Sequence, residues 1–109
     1  MNTVTIFLRV YPKTREEFIQ TVRSLREELK HAQGLTKSEL YQDVDDANIF
    51  QLVEEWLTQD DLNNHLQSEQ FQVLIGALKV LSEQAEIRYR LDSRQWGASS
   101  EFFGKWMAP

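Results

Sequence analysis

Residues 3–11 read TVTIFLRVY, with apolar side chains at every second place. This period of two is typical of a β-strand, because successive side chains of a strand point to opposite faces of its sheet. One face is wholly apolar and carries Val4, Ile6, Leu8 and Val10. The other face still carries Phe7 and Tyr11, so we expect both faces to be covered, and a chain of 109 residues has few elements to supply the second cover.

A helix is predicted directly after this strand. Pro12 closes the strand, and Thr14 with Glu17 three residues later has the form of a capping box. Apolar residues then recur at steps of three and four until Gly34, where we expect the helix to end.

The second half of the chain predicts a hairpin, two helices and a last strand. Strands are predicted over residues 35–44 and 49–56, on either side of a turn-forming segment. Thr58 caps a short helix and Ser68 a longer one. Apolar and polar residues alternate again over residues 85–91, which predicts the last strand. The order strand, helix, strand, strand, helix, strand predicts an α+β, ferredoxin-like βαββαβ domain with an antiparallel sheet covered by helices on one face. The open face carrying Phe7 and Tyr11 predicts a homodimer, because a second sheet packed against it would remove an apolar patch.

Composition narrows the classes of function. The net charge of −5 comes from scattered charges of both signs, so nucleic acid is not an expected partner. The absence of cysteine excludes a thiolate metal site and a cysteine nucleophile, and leaves His31, His65 and carboxylates as metal ligands; we expect no metal. His31 lies near a helix end, where the helix dipole favours a cation, and we assign it no functional role.

The two ends of the sequence carry separate expectations. The first ten residues, MNTVTIFLRV, resemble neither a signal peptide nor a membrane span, so we expect a cytoplasmic protein without a membrane partner. Residues 1–92 form the predicted domain, and residues 93–109 form an aromatic-rich tail. We expect this tail to dock on the domain or on the partner subunit; the alternative is a lid over a pocket.

A motif follows the third strand. The segment NIFQLVEEWLTQDDLNNHLQSEQF contains Glu54-x-Trp56 at the strand end and then a His-Leu-x-Ser-x-x-Phe run from His65 to Phe71. With the upstream segment GLTKSELYQD, this pattern resembles the antibiotic-biosynthesis monooxygenase family over about residues 3–91. The resemblance implies a dimeric α+β barrel and the oxygenation of a small phenolic or quinol-like substrate without metal or flavin.

That chemistry needs an apolar cavity, a base and groups that orient the substrate. His65 is the candidate base, because its ordinary pKa lies near neutrality. Trp56 and Tyr41 are the candidates for shaping the pocket, and Glu54 with Arg9 for positioning groups within it. Glu54 and Trp56 lie two residues apart and so share one face of the strand. A buried Glu54 needs a partner, for which Arg9, Arg88 and Arg90 are candidates.

Structural interpretations stand beside the functional ones. His65 can be a half-buried histidine that hydrogen-bonds the backbone, Trp56 a core residue, and Glu54 half of an ion pair that fixes the sheet. Tyr41 and Tyr89 suit a strand by propensity alone. Haem chemistry is disfavoured, because Ile75 stands where haem-degrading relatives carry their axial histidine, and an apolar side chain cannot ligate iron.

The sequence is therefore compatible with three candidate functions. The first is a cofactor-independent monooxygenase acting on a small aromatic substrate. The second is a non-catalytic dimeric ligand-binding or stress-related module that keeps the fold. The third is a small isomerase on the same scaffold. A cavity of about 300 Å³ or more beside His65 and Glu54 would favour the enzymes, since small-molecule sites begin near that volume, whereas a filled interior there would exclude both of them.

Overall fold

The computed structural model of the chain describes residues 2–91 and the backbone of residues 100–102. The strands are Asn2–Val10 (β1), Leu35–Gln42 (β2), Ile49–Trp56 (β3), Ser82–Arg90 (β4) and Ser100–Phe102 (β5). The helices are Arg15–Leu29 (α1), Gln59–Leu66 (α2) and Glu69–Leu81 (α3), and a turn of 3₁₀ helix at Pro12–Thr14 precedes α1.

The strands form one antiparallel sheet in the order β2-β3-β1-β4-β5. β1 lies between β3 and β4 and is hydrogen-bonded on both sides. The first four strands and the helices confirm the ferredoxin-like βαββαβ arrangement. The short β5, which extends the sheet beyond β4, was not predicted from the sequence.

The core lies between the helices and one face of the sheet. The alternation of β1 is confirmed, since Val4, Ile6, Leu8 and Val10 are all buried. The same face of β3 carries Phe50, Leu52, Glu54 and Trp56, and these too are buried. Helices α1 and α3 contribute the other large apolar side chains of the core: Phe18, Val22, Phe71, Leu74, Leu78 and Leu81.

The start of α1 differs from the predicted capping box. Thr14 occupies the N-cap position, but its side chain accepts no hydrogen bond from the helix backbone. Its hydroxyl instead donates to the carbonyl oxygens of Leu81, at 2.6 Å, and Tyr11, at 3.1 Å. The capping-box prediction is wrong because a carbonyl at the end of α3 lies within reach of this hydroxyl, and only the tertiary fold brings it there.

Two strand boundaries also differ from the sequence prediction. β2 ends at Gln42 because the carboxylate of Asp43 accepts the N–H groups of Asp45 and Asp46, which turns the chain, and Val44 is 98% exposed. β4 begins at Ser82, directly after α3, three residues before the predicted start. α1 ends at Leu29, five residues before Gly34, where its end was expected. Gly34 has a φ of +84° and is followed at once by β2.

Among residues 2–91, no helix or strand covers the sheet face away from the helices. Phe7 is 37% exposed and Tyr41 43% exposed on this open face. No helix within the described residues is long and apolar enough to cross a bilayer. The predicted docking of the tail concerns residues 93–109, and apart from the backbone of 100–102 these lie outside the described residues.

Candidate functional site

A buried polar cluster lies where the end of β3 meets α2. The side chains of Glu54 and His65 are only 4% and 2% exposed, and His65 Nε2 lies 2.8 Å from Glu54 Oε1. Trp56, two residues along the same strand face, stacks on the His65 ring with centroids 4.5 Å apart and planes 26° apart. The structure therefore brings together three of the five residues predicted for the site.

Local sequence fixes the position of His65. Thr58 caps α2 by accepting the N–H of Asp61 at 3.0 Å, and eight residues of helix place His65 in the last turn. Ser68 holds the junction to α3: its hydroxyl donates to the carbonyl of His65 at 2.6 Å and accepts the N–H of Phe71 at 3.2 Å. Both predicted helix caps are thus confirmed, and together they hold His65 over the sheet.

Phe71 completes the aromatic surroundings of His65. Its ring meets the imidazole edge-on, with centroids 5.2 Å apart and planes at 70°. The sequence motif included Phe71 as part of its pattern, but its helical period pointed to the core and gave it no place beside the site. The imidazole thus lies between a stacked indole and a phenyl ring, which hold its plane.

Four polar atoms of this cluster lack an aligned hydrogen-bond partner among the described residues: Glu54 Oε1, Trp56 Nε1, His65 Nδ1 and His65 Nε2. The His65–Glu54 contact is short enough for a hydrogen bond, but its direction does not meet hydrogen-bond geometry, so we treat it as a close electrostatic contact. Buried donors and acceptors are nearly always paired, since leaving one unpaired costs about 1–3 kcal/mol. The cluster therefore has unused capacity to donate and accept hydrogen bonds.

Arg9 does not join this cluster. Its Nη1 donates to Asp46 Oδ2 at 2.6 Å, and its place in β1 puts it on the open face of the sheet. Arg88 and Arg90 share that open face, and Arg88 pairs with Glu86 at 3.0 Å. The expectation that an arginine partners Glu54 is wrong, because strand alternation puts all three on the opposite face from Glu54.

Tyr41 is also separated from His65 by the sheet. It lies opposite Gln51 of β3, which in turn lies opposite Phe7, so all three share the open face. Its hydroxyl donates to Glu39 Oε2 at 2.8 Å, and this hydrogen bond raises the pKa of Tyr41 above its ordinary value. Lys37, beside Glu39 at 3.6 Å, belongs to the same surface network.

Asn2 is a buried polar residue near the site that the sequence interpretation missed. It lies opposite Trp56 in the sheet, is 1% exposed, and its side-chain amide is 3.5 Å from the Trp56 carbonyl oxygen. The alternation of β1 could have revealed it, because Asn2 continues the even-numbered face that carries Val4. Tyr89, opposite Val4 on the other side, shares this face as well.

The residues of the cluster are buried, with Glu54 3%, Trp56 1% and His65 5% exposed. The three pockets described among residues 2–91 lie elsewhere: on the open face around Phe7 (about 280 Å³), between α1 and α3 (about 480 Å³), and between α1 and β2 (about 510 Å³). None of the three is lined by Glu54, Trp56 or His65, so they do not include the cavity beside His65 and Glu54 that the enzyme interpretations require. No group of three or more potential metal-ligating side chains occurs among the residues described.

The chain matches known proteins over most of its length. A family model for antibiotic biosynthesis monooxygenases matches residues 1–77. The putative monooxygenase YcnE of Bacillus subtilis strain 168 is 26% identical over 81 residues, which cover 74% of this chain and 85% of that protein.

Solved structures show the same fold. A conserved protein from Methanosarcina mazei Go1 superimposes with a TM-score of 0.76 at 25% identity, covering 83% of this chain and 90% of that one. A mutant of SnoaB, a cofactor-independent oxygenase from Streptomyces nogalater, superimposes with a TM-score of 0.73 at 18% identity, covering 88% of this chain and 96% of that one. At that identity the second match is evidence for the fold alone.

Proposed function

The chain belongs to the antibiotic biosynthesis monooxygenase family, and we propose that it is a cofactor-independent monooxygenase that acts on a small phenolic or quinol-like substrate. The observation that carries the proposal is the buried contact between Glu54 and His65, whose polar atoms retain unused hydrogen-bonding capacity. SnoaB, which has the same fold, is described as a cofactor-independent oxygenase.

His65 is the proposed base. Glu54 faces Nε2, so a proton on that nitrogen leaves the lone pair of Nδ1 free to accept the phenolic proton of the substrate. Through this close electrostatic contact, Glu54 would then balance the positive charge that the imidazole gains, which is one role of the carboxylate in a Ser-His-Asp triad. Trp56 Nε1, which has no partner among the described residues, would donate to a substrate oxygen.

The proposed reaction balances without an added reductant. A phenol with a ring C–H opposite its hydroxyl loses both hydrogens and reacts with one O2. One oxygen atom enters the ring at that carbon, the other leaves as water, and the product is a quinone. The substrate thereby loses four electrons to O2. Removal of the phenolic proton by His65 places electron density on the ring, which is what transfer to O2 requires.

A second copy of the chain is the proposed cover for the open sheet face. Phe7 and Tyr41 are exposed there, and strand β1 carries apolar or aromatic side chains on both faces. Two such faces packed together would bury these aromatic side chains and give the homodimer expected from the sequence. Arg9 and Tyr41 would then contribute to the interface and not to the cluster around His65.

A non-catalytic ligand-binding module is the second candidate function. The observation that favours it is the tight enclosure of His65, Glu54 and Trp56, which are 5%, 3% and 1% exposed as whole residues. In that case the Glu54–His65 contact fixes the fold, and the ligand lies in one of the other pockets.

Oxygen consumption with a panel of phenols and quinols tests the oxygenase proposal. We expect turnover by the native chain, a loss of at least about 100-fold in kcat for His65→Ala, which is the usual scale for a general base, and no change for His31→Ala. The exposed His31 is the matched control, because it is the second histidine of the chain. With 18O2, one labelled atom should appear in the product.

Three outcomes would count against parts of the proposal. Unchanged turnover in His65→Ala removes His65 as the base. An unlabelled product with hydrogen peroxide indicates a simple oxidase. Saturable ligand binding without oxygen consumption for any member of the panel favours the non-catalytic module.

A further inference from the structure

A groove lies between helix α1 and the edge strand β2. It has a volume of about 510 Å³, which is within the range of small-molecule sites. Four consecutive residues of the strand, 35–38, line it, so it runs along the strand edge. Its lining residues are Arg23, Arg26, Glu27, Lys30, Leu35, Thr36, Lys37 and Ser38.

The charge of this groove is opposite to that of the whole chain. Four of its eight lining side chains are cationic and one is acidic, an excess of three positive charges, which falls to one when Glu39 and Glu55 beside Lys37 are included. The chain as a whole carries −5. A local reversal of sign attracts anions to the groove while the surrounding surface repels them.

Two guanidinium groups are the strongest candidates for ligand contacts. Arg26 is held in place by Ser38, since its Nη2 donates to the Ser38 carbonyl at 2.7 Å and its Nε donates to the hydroxyl at 3.1 Å. Its Nη1 has no hydrogen-bond or ion-pair partner among the described residues, although the Arg26 charge also interacts with the Glu39 carboxylate. No side-chain nitrogen of Arg23 has a described hydrogen-bond or ion-pair partner. A planar guanidinium that is already fixed loses little entropy when it binds an oxyanion.

The two lysines of the groove are partly neutralised. Lys30 lies 3.6 Å from Glu27, and Lys37 lies 3.6 Å from Glu39 and 3.9 Å from Glu55. They raise the local potential but are not free cations. The arginines are therefore expected to supply the specific contacts.

We propose that this groove binds a small oxyanion with at least two negative charges, of the phosphate or dicarboxylate type. Charge complementarity favours an anion, and the fixed guanidinium of Arg26 favours a planar or tetrahedral oxyanion over a halide. A long polyanion is disfavoured, because it would extend onto the acidic remainder of the surface. The site is independent of the proposed oxygenase, since neither Arg23 nor Arg26 belongs to the cluster around His65.

Titration of the full chain with inorganic pyrophosphate and, separately, succinate tests the proposal at low salt. Amide shifts in a ¹H–¹⁵N NMR spectrum report both the location and the affinity of binding. We expect saturable shifts centred on residues 35–38 and on the α1 residues of the groove. The tighter of the two probes identifies the ligand as phosphate-bearing or carboxylate-bearing.

Two variants that each remove two positive charges distinguish a specific anion site from general electrostatic attraction of anions to the surface. Arg23→Gln/Arg26→Gln removes two charges within the groove, and Lys13→Gln/Lys79→Gln removes two charges elsewhere on the surface. The first pair should weaken binding by at least about tenfold and the second by less than about twofold. Because Arg26 also bonds Ser38, Arg23→Gln alone provides a variant that loses no described contact, and it should weaken binding in the same direction.

Two results would overturn the proposal. If both double variants weaken binding equally, the native chain attracts an adventitious ion only. If the native chain shows no saturable shifts with either probe up to roughly 10 mM, which is weaker than most specific binding, the groove is not a site for this class of ligand.

Discussion

His65 Nε2 lies 2.8 Å from Glu54 Oε1 in the interior of the domain, and within the described residues His65 is the partner that the Glu54 carboxylate has. A buried carboxylate that loses its partner keeps the cost of its desolvation and gains nothing in return. The structure therefore couples the strand end at Glu54 to the helix end at His65.

The effects of replacing Glu54 and His65 on the free energy of unfolding should be strongly non-additive. We expect His65→Leu to lower the free energy of unfolding by about 3–5 kcal/mol, because it leaves an uncompensated buried carboxylate. The double variant Glu54→Leu/His65→Leu should be more stable than His65→Leu alone, since both polar groups are then gone. Urea unfolding of the native chain, both single variants and the double variant measures the coupling. Additive effects would show that the two side chains do not interact.

The two glycines of the described fold should respond in opposite directions to alanine. Gly34 has a φ of +84°, and a Cβ there would collide with the carboxylate of Asp61, so Gly34→Ala should destabilise the fold by more than about 1 kcal/mol. Gly76 lies in α3, and a Cβ there would meet nothing within 4 Å. Gly76→Ala should therefore stabilise the fold by roughly 0.5–1 kcal/mol through helix propensity.

Thermal unfolding of Gly34→Ala and Gly76→Ala gives the comparison directly. A melting temperature for Gly34→Ala equal to that of the native chain would mean that the loop before β2 rearranges freely. That result would contradict the tight approach of Gly34 to α2.

Asp46 should contribute stability that disappears in acid. The backbone N–H of Asn48 and then the Arg9 guanidinium lower the pKa of this carboxyl below its ordinary value of 3.8. A group whose pKa is lowered by folding stabilises the fold above its unfolded pKa, and the contribution is lost as the pH falls through the folded value. Asp46→Asn should therefore be less stable than the native chain near neutrality, and the difference should shrink below about pH 4.

Urea midpoints of the native chain and Asp46→Asn at several pH values would measure this effect. Asp45→Asn is a suitable control, because Asp45 lies in the same turn and no described residue pairs with its carboxylate. A stability difference for Asp46→Asn that is constant from neutrality to acid would rule out a contribution from the ionised carboxylate.

Removal of Phe7 should weaken the proposed dimer. Phe7 lies on the open sheet face, with the Arg88 guanidinium 5.2 Å from its ring centroid. We expect Phe7→Ser to raise the dimer dissociation constant by at least about tenfold, because a large aromatic near the centre of an interface is commonly a hot spot. Val44→Ser is the control, since Val44 is almost wholly exposed in the turn after β2. Sedimentation velocity across a concentration series measures both, and a native chain that stays monomeric at micromolar concentration would refute the dimer.

The fold could be predicted because the sequence patterns that specify its strands and helices each lie within a short segment. The alternation of β1, the helical period of Phe71, Leu74 and Leu78, and the caps at Thr58 and Ser68 all act within a few residues of one another. The hydroxyl of Thr14 was misassigned because its acceptor, the carbonyl of Leu81, is 67 residues away. A pattern within one segment holds no information about such a contact.

The site could be predicted only in part for the same reason. Glu54, Trp56 and His65 lie within twelve residues, and strand alternation placed the first two on one face. Tyr41 and Arg9 were grouped with them on chemical grounds. Once the sheet register is known, the alternation of side chains along β1 and β2 places both residues on the opposite face. The partner of Glu54 was missed because candidates were sought on neighbouring strands, whereas the helix covering the sheet supplied it.

The central position of β1 also governs the order in which the sheet can assemble. β1 comes first in the chain, yet its neighbours β3 and β4 begin at residues 49 and 82. During synthesis, β1 therefore cannot form hydrogen bonds with both neighbouring strands until most of the domain has left the ribosome. Its apolar face lacks its final packing until then. Such long sequence separations slow folding and leave an unpaired strand exposed in the meantime. The nascent chain is thus open to mispairing at a strand that later has a hydrogen-bonded neighbour on each side.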